Sequence, residues 1–183
     1  MNNINKIFKT HRKFIASGLS TFMLAFMVMF YAENLIKGNT PYGALELQLA
    51  TEPDQIHTIL ETWGQDGKLR FLKFMGFDYA YALAYSFFLY YLLRFFNRNY
   101  KSWVGTMYVL PFVVGLLDII ENTIEIGFVS GTFIINNFSE NTHQWVVFMK
   151  WVSVIAYFAV LFVLLVYYFA IRVKPISHMV SKQ

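Results

Sequence analysis

WVGTMYVLPFVVGLLDIIENTIEIGFVS, residues 103–130, is a long apolar stretch that carries three carboxylic acids. A membrane-spanning helix requires about 20 mostly apolar residues, so this stretch is long enough to cross a bilayer with some tilt. Its polar side chains share one helix face because they stand at i, i+3, i+4 and i+7. They are Asp118, Glu121, Asn122 and Glu125. Charge inside a bilayer is costly unless it faces other helices, which predicts a spanning helix whose polar face points into a bundle.

Three further apolar stretches accompany it, at about residues 14–36, 71–96 and 145–173. With 57% hydrophobic and 20% aromatic residues, the chain holds more apolar surface than a water-soluble core of this size can bury. We therefore predict an all-α polytopic membrane protein. Residues 1–183 would form a single transmembrane domain, a bundle of four transmembrane helices.

Lysine and arginine are distributed unequally across the four predicted spans. Ten of the 15 basic residues flank one side, with no acidic residue among them: Lys6, Lys9, Arg12, Lys13, Arg94, Arg98, Lys101, Arg172, Lys174 and Lys182. The positive-inside rule then predicts that both termini are cytoplasmic, including a flexible tail at residues 174–183. A bias toward Asn, Lys, Ile and Phe suggests a bacterial source. We predict a multi-pass protein of a bacterial inner membrane.

An amphipathic segment, residues 44–64, lies between the first two predicted spans on the extracytoplasmic side. Pro53 suits the first turn of a helix, and Gly64 suits its end. The apolar side chains of this helix share one face: Ile56, Ile59, Leu60 and Trp63. Two interpretations stay open. The helix lies at the membrane surface, or it forms a lid over a cavity between the spans, with Trp63 packed downward.

Ionisable residues on three of the spans are predicted to meet at one level of the outer leaflet. Counted from the outer boundary at about 1.5 Å per residue, Asp78 and Lys150 lie at depths similar to those of the third-span acids. The predicted ligand or proton site consists of Asp78, Asp118, Glu121, Asn122, Glu125 and Lys150. Further contributors, two of them suggested by a short internal repeat, are Tyr81, Tyr85, Trp63, Glu33 and Lys73.

The predicted site holds four carboxylic acids and one lysine. A low-dielectric interior disfavours so many like charges, so at least one carboxyl group is protonated at neutral pH or a cation lies among them. The chain has no cysteine, and no histidine falls within the predicted spans. Any metal ligands would therefore be oxygens, which suit hard cations. We predict no metal centre, and the sequence identifies no cofactor.

The same residues carry a resemblance to a known family. The motifs are Glu46-Leu47-Gln48-Leu49-Ala50, Trp63, Asp78-Tyr79, Tyr85, Asp118-x-x-Glu121-Asn122 and Lys150. In their order and approximate spacing, residues 42–151 resemble an uncharacterised family of small bacterial four-helix integral membrane proteins. The resemblance implies that the outer-leaflet site and the preceding amphipathic segment belong together. It implies no substrate.

Basic residues are scattered around the spans and form no stripe with stacking aromatics, which argues against nucleic-acid binding. Three functions stay open. The chain binds or processes a lipid-like or other small amphipathic molecule. Alternatively, it is a structural or accessory protein whose polar network fixes helix packing, or a proton- or cation-coupled transporter subunit, which with four helices would need to form a homodimer. Paired carboxylates suit acid–base chemistry, but no nucleophile–base pair accompanies them, so enzymatic activity stays open. We favour the lipid-like ligand.

Overall fold

The computed structural model describes residues 14, 16–27, 33–97 and 102–172. Every regular element within these ranges is helical, which confirms the all-α prediction. The predicted cytoplasmic tail 174–183 and the basic residues before Phe14 lie outside the described residues. The helices are α1 Ala16–Phe26, α2 Glu33–Lys37, α3 Ala44–Gln48, α4 Pro53–Phe96, a 3-10 helix Ser102–Val109, α5 Leu110–Ser130 and α6 Asn137–Arg172.

Helix α4 bends at Gly64, where the backbone has φ 57° and ψ −164°. Such a positive φ strains residues with a Cβ atom, so glycine suits this position. The outer part of α4 begins at Pro53 and ends at Trp63, and the chain resumes a helix directly after Gly64 that continues to Phe96. The amphipathic segment and the second apolar stretch are therefore joined through a kink, without an intervening loop.

The apolar face of the outer part of α4 packs against protein. Ile56 is fully buried, and Trp63 is 4% exposed. The indole Nε1 of Trp63 donates a hydrogen bond to the carbonyl oxygen of Tyr42 at 2.7 Å, and its ring lies 5.4 Å from the ring of Phe71. The apolar cluster around them comprises Ile36, Leu47, Ala50, Ile56, Ile59, Leu60, Trp63, Phe71, Met75, Phe128 and Val129. This face thus contributes to the core rather than to a lipid-facing surface.

Helix α5 packs between α4 and α6. It approaches α4 closely at Gly115, where a Cβ atom would lie 2.0 Å from Ser86 Oγ and 3.2 Å from the Ala82 carbonyl oxygen. Close backbone approach of this kind requires small residues on both helices. Beyond this crossing, the hydroxyl of Tyr157 on α6 donates to the Leu89 carbonyl oxygen at 2.9 Å.

Helix α6 begins at Asn137, earlier than the apolar stretch 145–173 from which the span was predicted. Within the part of the chain that the structure describes, its segment Asn137–Tyr167 is long and apolar enough to cross a membrane. Only 22% of the most apolar window of this segment is buried in the fold, so most of its side chains face outward. Ala16–Phe26 is a shorter apolar helix.

Candidate functional site

A cavity of about 580 Å³ lies between α4, α5 and α6, and α1 and α3 also contribute to its wall. Its polar lining consists of Gln48, Asp78, Tyr81, Tyr85, Asp118, Glu121, Asn122, Glu125 and Lys150. The remaining lining is mainly aliphatic and aromatic: Ala44, Leu45, Phe74, Met75, Phe88, Leu89, Val114, Trp151, Val154 and Phe158, with Thr21 from α1. The cavity wall therefore contains both polar and apolar side chains.

All six residues of the predicted site line this cavity, together with Tyr81 and Tyr85. Of the other three predicted contributors, two do not line it. Lys73 is exposed, and Trp63 is buried in the apolar cluster. The side chain of Glu33 lies outside the described residues. The motifs of the short repeat therefore do not bring Lys73 into the site.

Lys150 links the acidic residues of α5. Its Nζ lies 3.0 Å from Asp118 Oδ1 and 2.7 Å from Glu121 Oε2. Asp118 Oδ2 also accepts a hydrogen bond from the Tyr85 hydroxyl of α4 at 3.1 Å. These contacts connect α4, α5 and α6 at one level, because Asp118 and Glu121 are one turn apart on the α5 face that meets both neighbours.

Helix α3 covers part of the cavity and takes part in its polar network. Gln48 donates a side-chain hydrogen bond to Glu121 Oε1. At the other end of α3, Glu46 Oε2 accepts a hydrogen bond from the Gly43 backbone at 2.6 Å, which fixes the start of the helix. The side chains of Ala44 and Leu45 line the cavity beside Gln48. Within residues 44–64, only the α3 part reaches the cavity wall, and the helix Pro53–Trp63, for which the two interpretations were given, contributes no lining residue.

Sequence reasoning missed His143, which lies fully buried beside Glu125. Its Nε2 is 3.4 Å from Glu125 Oε1, and its ring lies 5.9 Å from that of Phe128. His143 falls two residues before the predicted fourth span and was left out for that reason. The sequence does contain one indication that His143 faces the site: it stands seven residues before Lys150, and residues seven apart share one helix face.

The charges around the cavity do not balance within the described residues. Asp78, Asp118, Glu121 and Glu125 line it, whereas Lys150 is the one cation in its wall. Lys150 contacts Asp118 and Glu121. Among the described residues, Asp78 and Glu125 have no lysine or arginine partner in the cavity wall. Buried carboxylates are retained only when they are protonated, paired or bound to a cation. The site can therefore hold protons, hydrogen-bond donors or a positive ion.

Comparison of the chain with protein-family models, with curated proteins and with solved structures finds no match. The site's chemistry consequently has to be inferred from its own side chains. These offer an excess of oxygen acceptors, a paired lysine, two tyrosine hydroxyls and several aliphatic and aromatic side chains. Such a combination suits a ligand that has both a polar and an apolar part.

Proposed function

We propose that this chain is an integral membrane protein of four spanning helices that binds an amphipathic, lipid-like molecule in the cavity between α4, α5 and α6. The observation that carries the proposal is a cavity wall that holds both the Lys150–carboxylate network and a set of aliphatic and aromatic side chains. A volume of about 580 Å³ falls within the range of sites for small organic ligands.

The membrane assignment is supported by the outward-facing side chains of α6. Trp145 is 65% exposed, Ile155 68% and Phe162 67%. Apolar patches of this extent are rare on soluble monomers and are expected where lipid is the solvent. The predicted spans 14–36, 71–96, 103–130 and 145–173 and the lysine and arginine distribution favour a bacterial inner-membrane protein with both termini cytoplasmic.

The mode of binding follows from the chemistry of the wall. Because acceptors outnumber donors around Asp78 and Glu125, we expect a head group that carries hydroxyl or amine donors. The hydrocarbon part would lie against Phe88, Val154 and Phe158. Each buried methylene group contributes about 0.8 kcal/mol when it leaves water, so the apolar wall supplies affinity and the polar network supplies selectivity.

Native mass spectrometry of the gently solubilised full-length chain tests this proposal. Wild type should carry an adduct of lipid size, and Val154→Trp should lose it, because the indole fills the apolar part without touching the ion pairs. Asp118→Asn should lose the adduct as well. Asp66→Asn serves as the matched control, since this exposed carboxylate lies away from the cavity and should leave the adduct in place.

Two results would contradict the proposal. The first is a wild-type chain that carries no adduct under conditions where it remains folded. The second is an adduct that Val154→Trp retains in full. A bare wild type combined with a large loss of thermal stability in Asp118→Asn would favour the structural alternative, in which the buried network only fixes helix packing.

A further inference from the structure

Buried side chains in and beside the cavity carry polar atoms without a hydrogen-bond partner among the described residues. Neither ring nitrogen of His143 has a hydrogen-bond partner among the described residues, although the side chain is fully buried. The same holds for Glu125 Oε1, which faces His143 Nε2 at 3.4 Å. Buried polar atoms are nearly always satisfied, so a group of them in contact indicates a missing partner.

The missing partner is best described as a cation. One ligand atom each from Glu121, Glu125 and His143 lies within 4.8 Å of the others, and all three side chains are buried. Around a cation with bonds of about 2.0–2.2 Å to nitrogen and carboxylate oxygen, neighbouring ligand atoms lie roughly 3–4 Å apart. Small side-chain adjustments would bring the three atoms onto one ion.

We infer that Glu121, Glu125 and His143 bind one divalent first-row transition-metal ion, such as Zn²⁺ or Mn²⁺. An imidazole nitrogen combined with carboxylate oxygens favours these ions over Mg²⁺, which prefers oxygen ligands alone. Glu121 and Glu125 lie on adjacent turns of α5, and His143 lies on the facing turn of α6. The site is therefore built across a packed helix pair. The ion would share Glu121 and Glu125 with the cavity of the proposed ligand, but its binding is measured separately from the lipid-sized adduct.

The existing contacts of Glu121 are compatible with a metal. A carboxylate has two oxygens with about four lone-pair sites, so Glu121 can keep Lys150 and Gln48 and still bind an ion. These two partners would then orient the carboxylate, as outer groups commonly do around metal ligands. A divalent ion would also balance the negative charge of the cavity wall. Lys150 would neutralise Asp118, and the ion would neutralise Glu121 and Glu125.

Glu140 is placed to support the site. It lies one turn before His143 on α6, is 4% exposed, and its Oε1 has no hydrogen-bond partner among the described residues. Residues three apart share a helix face, so Glu140 and His143 point to the same side. Glu140 can supply a further oxygen ligand or hold the imidazole ring. The prediction of no metal centre omitted this pair because both precede the apolar stretch of the fourth span.

The test is metal binding by the full-length chain in detergent after removal of metals with a chelator. Titration with Zn²⁺ and Mn²⁺, followed by calorimetry and by elemental analysis after desalting, should give one ion per wild-type chain. His143→Gln and Glu125→Gln should each weaken binding by at least about 100-fold. His57→Gln is the matched control and should bind as wild type does, since His57 is exposed on the outer part of α4.

A second variant keeps the test independent of the folding of the core variants. Replacing His11, His57 and His178 by Gln leaves His143 as the sole histidine. This chain should still bind one Mn²⁺, with a coordinated imidazole nitrogen visible by pulsed electron paramagnetic resonance. A wild type that takes up no ion, a spectrum without that nitrogen, or equal affinity for Mg²⁺ would overturn the inference.

Discussion

At the scale of single residues, Lys150 is the side chain on which the buried network depends. It contacts Asp118 and Glu121, and its side chain is 9% exposed. Lys150→Met leaves both carboxylates without their cation, and breaking a buried pair in this way destabilises proteins by about 3–5 kcal/mol. We expect a loss of that size in the free energy of unfolding, measured by denaturant titration in detergent.

Lys73→Met provides the comparison for this loss. Lys73 is exposed on α4 and lies away from the cavity, so its replacement should change stability by no more than about 0.5 kcal/mol. Adding Asp118→Asn to Lys150→Met should recover part of the stability, because the double variant buries one carboxylate fewer. Equal effects of the two lysine variants would show that the Lys150 ion pairs are not stabilising.

Sequence patterns identified the acidic residues of the site but not all of their neighbours. The one-face spacing of Asp118, Glu121 and Glu125 was informative because charged side chains in an otherwise apolar helix have to face other helices rather than an apolar surrounding. Gln48 and His143 were missed for a different reason. Both lie outside the predicted spans, and only the packing of α3 and α6 brings them to Glu121 and Glu125.

At the scale of helices, the crossing of α4 and α5 depends on Gly115. Gly115→Ala would place a methyl group 2.0 Å from Ser86 Oγ, which is itself held by a hydrogen bond of 2.7 Å to the Ala82 carbonyl oxygen. Overpacking at such contacts lowers stability by about 1–3 kcal/mol. We expect a decrease in thermal stability in this range, followed by circular dichroism.

The control for this crossing is Gly76→Ala on α4, where a Cβ atom meets nothing within 4 Å. In a helix this change should be neutral or stabilising by up to about 1 kcal/mol. Removing the Ser86 hydroxyl together with Gly115→Ala should restore part of the lost stability. A Gly115→Ala variant as stable as wild type would show that α4 and α5 can separate without cost.

Helix ends were predictable where local chemistry marks them. Pro53 opens α4 at the predicted position, and the chain bends at Gly64, as expected from glycine's tolerance of positive φ. The hydropathy pattern that predicted the span 145–173 marks only the apolar part of α6 and gives no start for the helix, which begins at Asn137. Asn136 Oδ1 accepts hydrogen bonds from the backbone of Phe138 at 3.0 Å and of Ser139 at 2.9 Å, a helix-start signal that hydropathy does not detect.

At the scale of the whole molecule, the proposed orientation can be tested because the chain contains no cysteine. A cysteine introduced at Asp66 should react with a membrane-impermeant maleimide added to intact cells. A cysteine at Lys182 should react only after the cells are permeabilised, since the positive-inside rule places that end in the cytoplasm. Labelling of Lys182→Cys in intact cells would contradict the proposed topology.

Helix α3 also has a consequence for how fast the cavity exchanges its contents. Leu47 is fully buried and Gln48 is bound to Glu121, so swinging α3 outward would expose a leucine and free a charged hydrogen bond. Each of these changes costs about 1.5–3 kcal/mol, or roughly 3–6 kcal/mol together. At tenfold per 1.4 kcal/mol, only about one molecule in 10² to 10⁴ has α3 displaced at any moment. Any molecule that leaves past α3 can therefore do so only during the small fraction of time for which this helix is displaced.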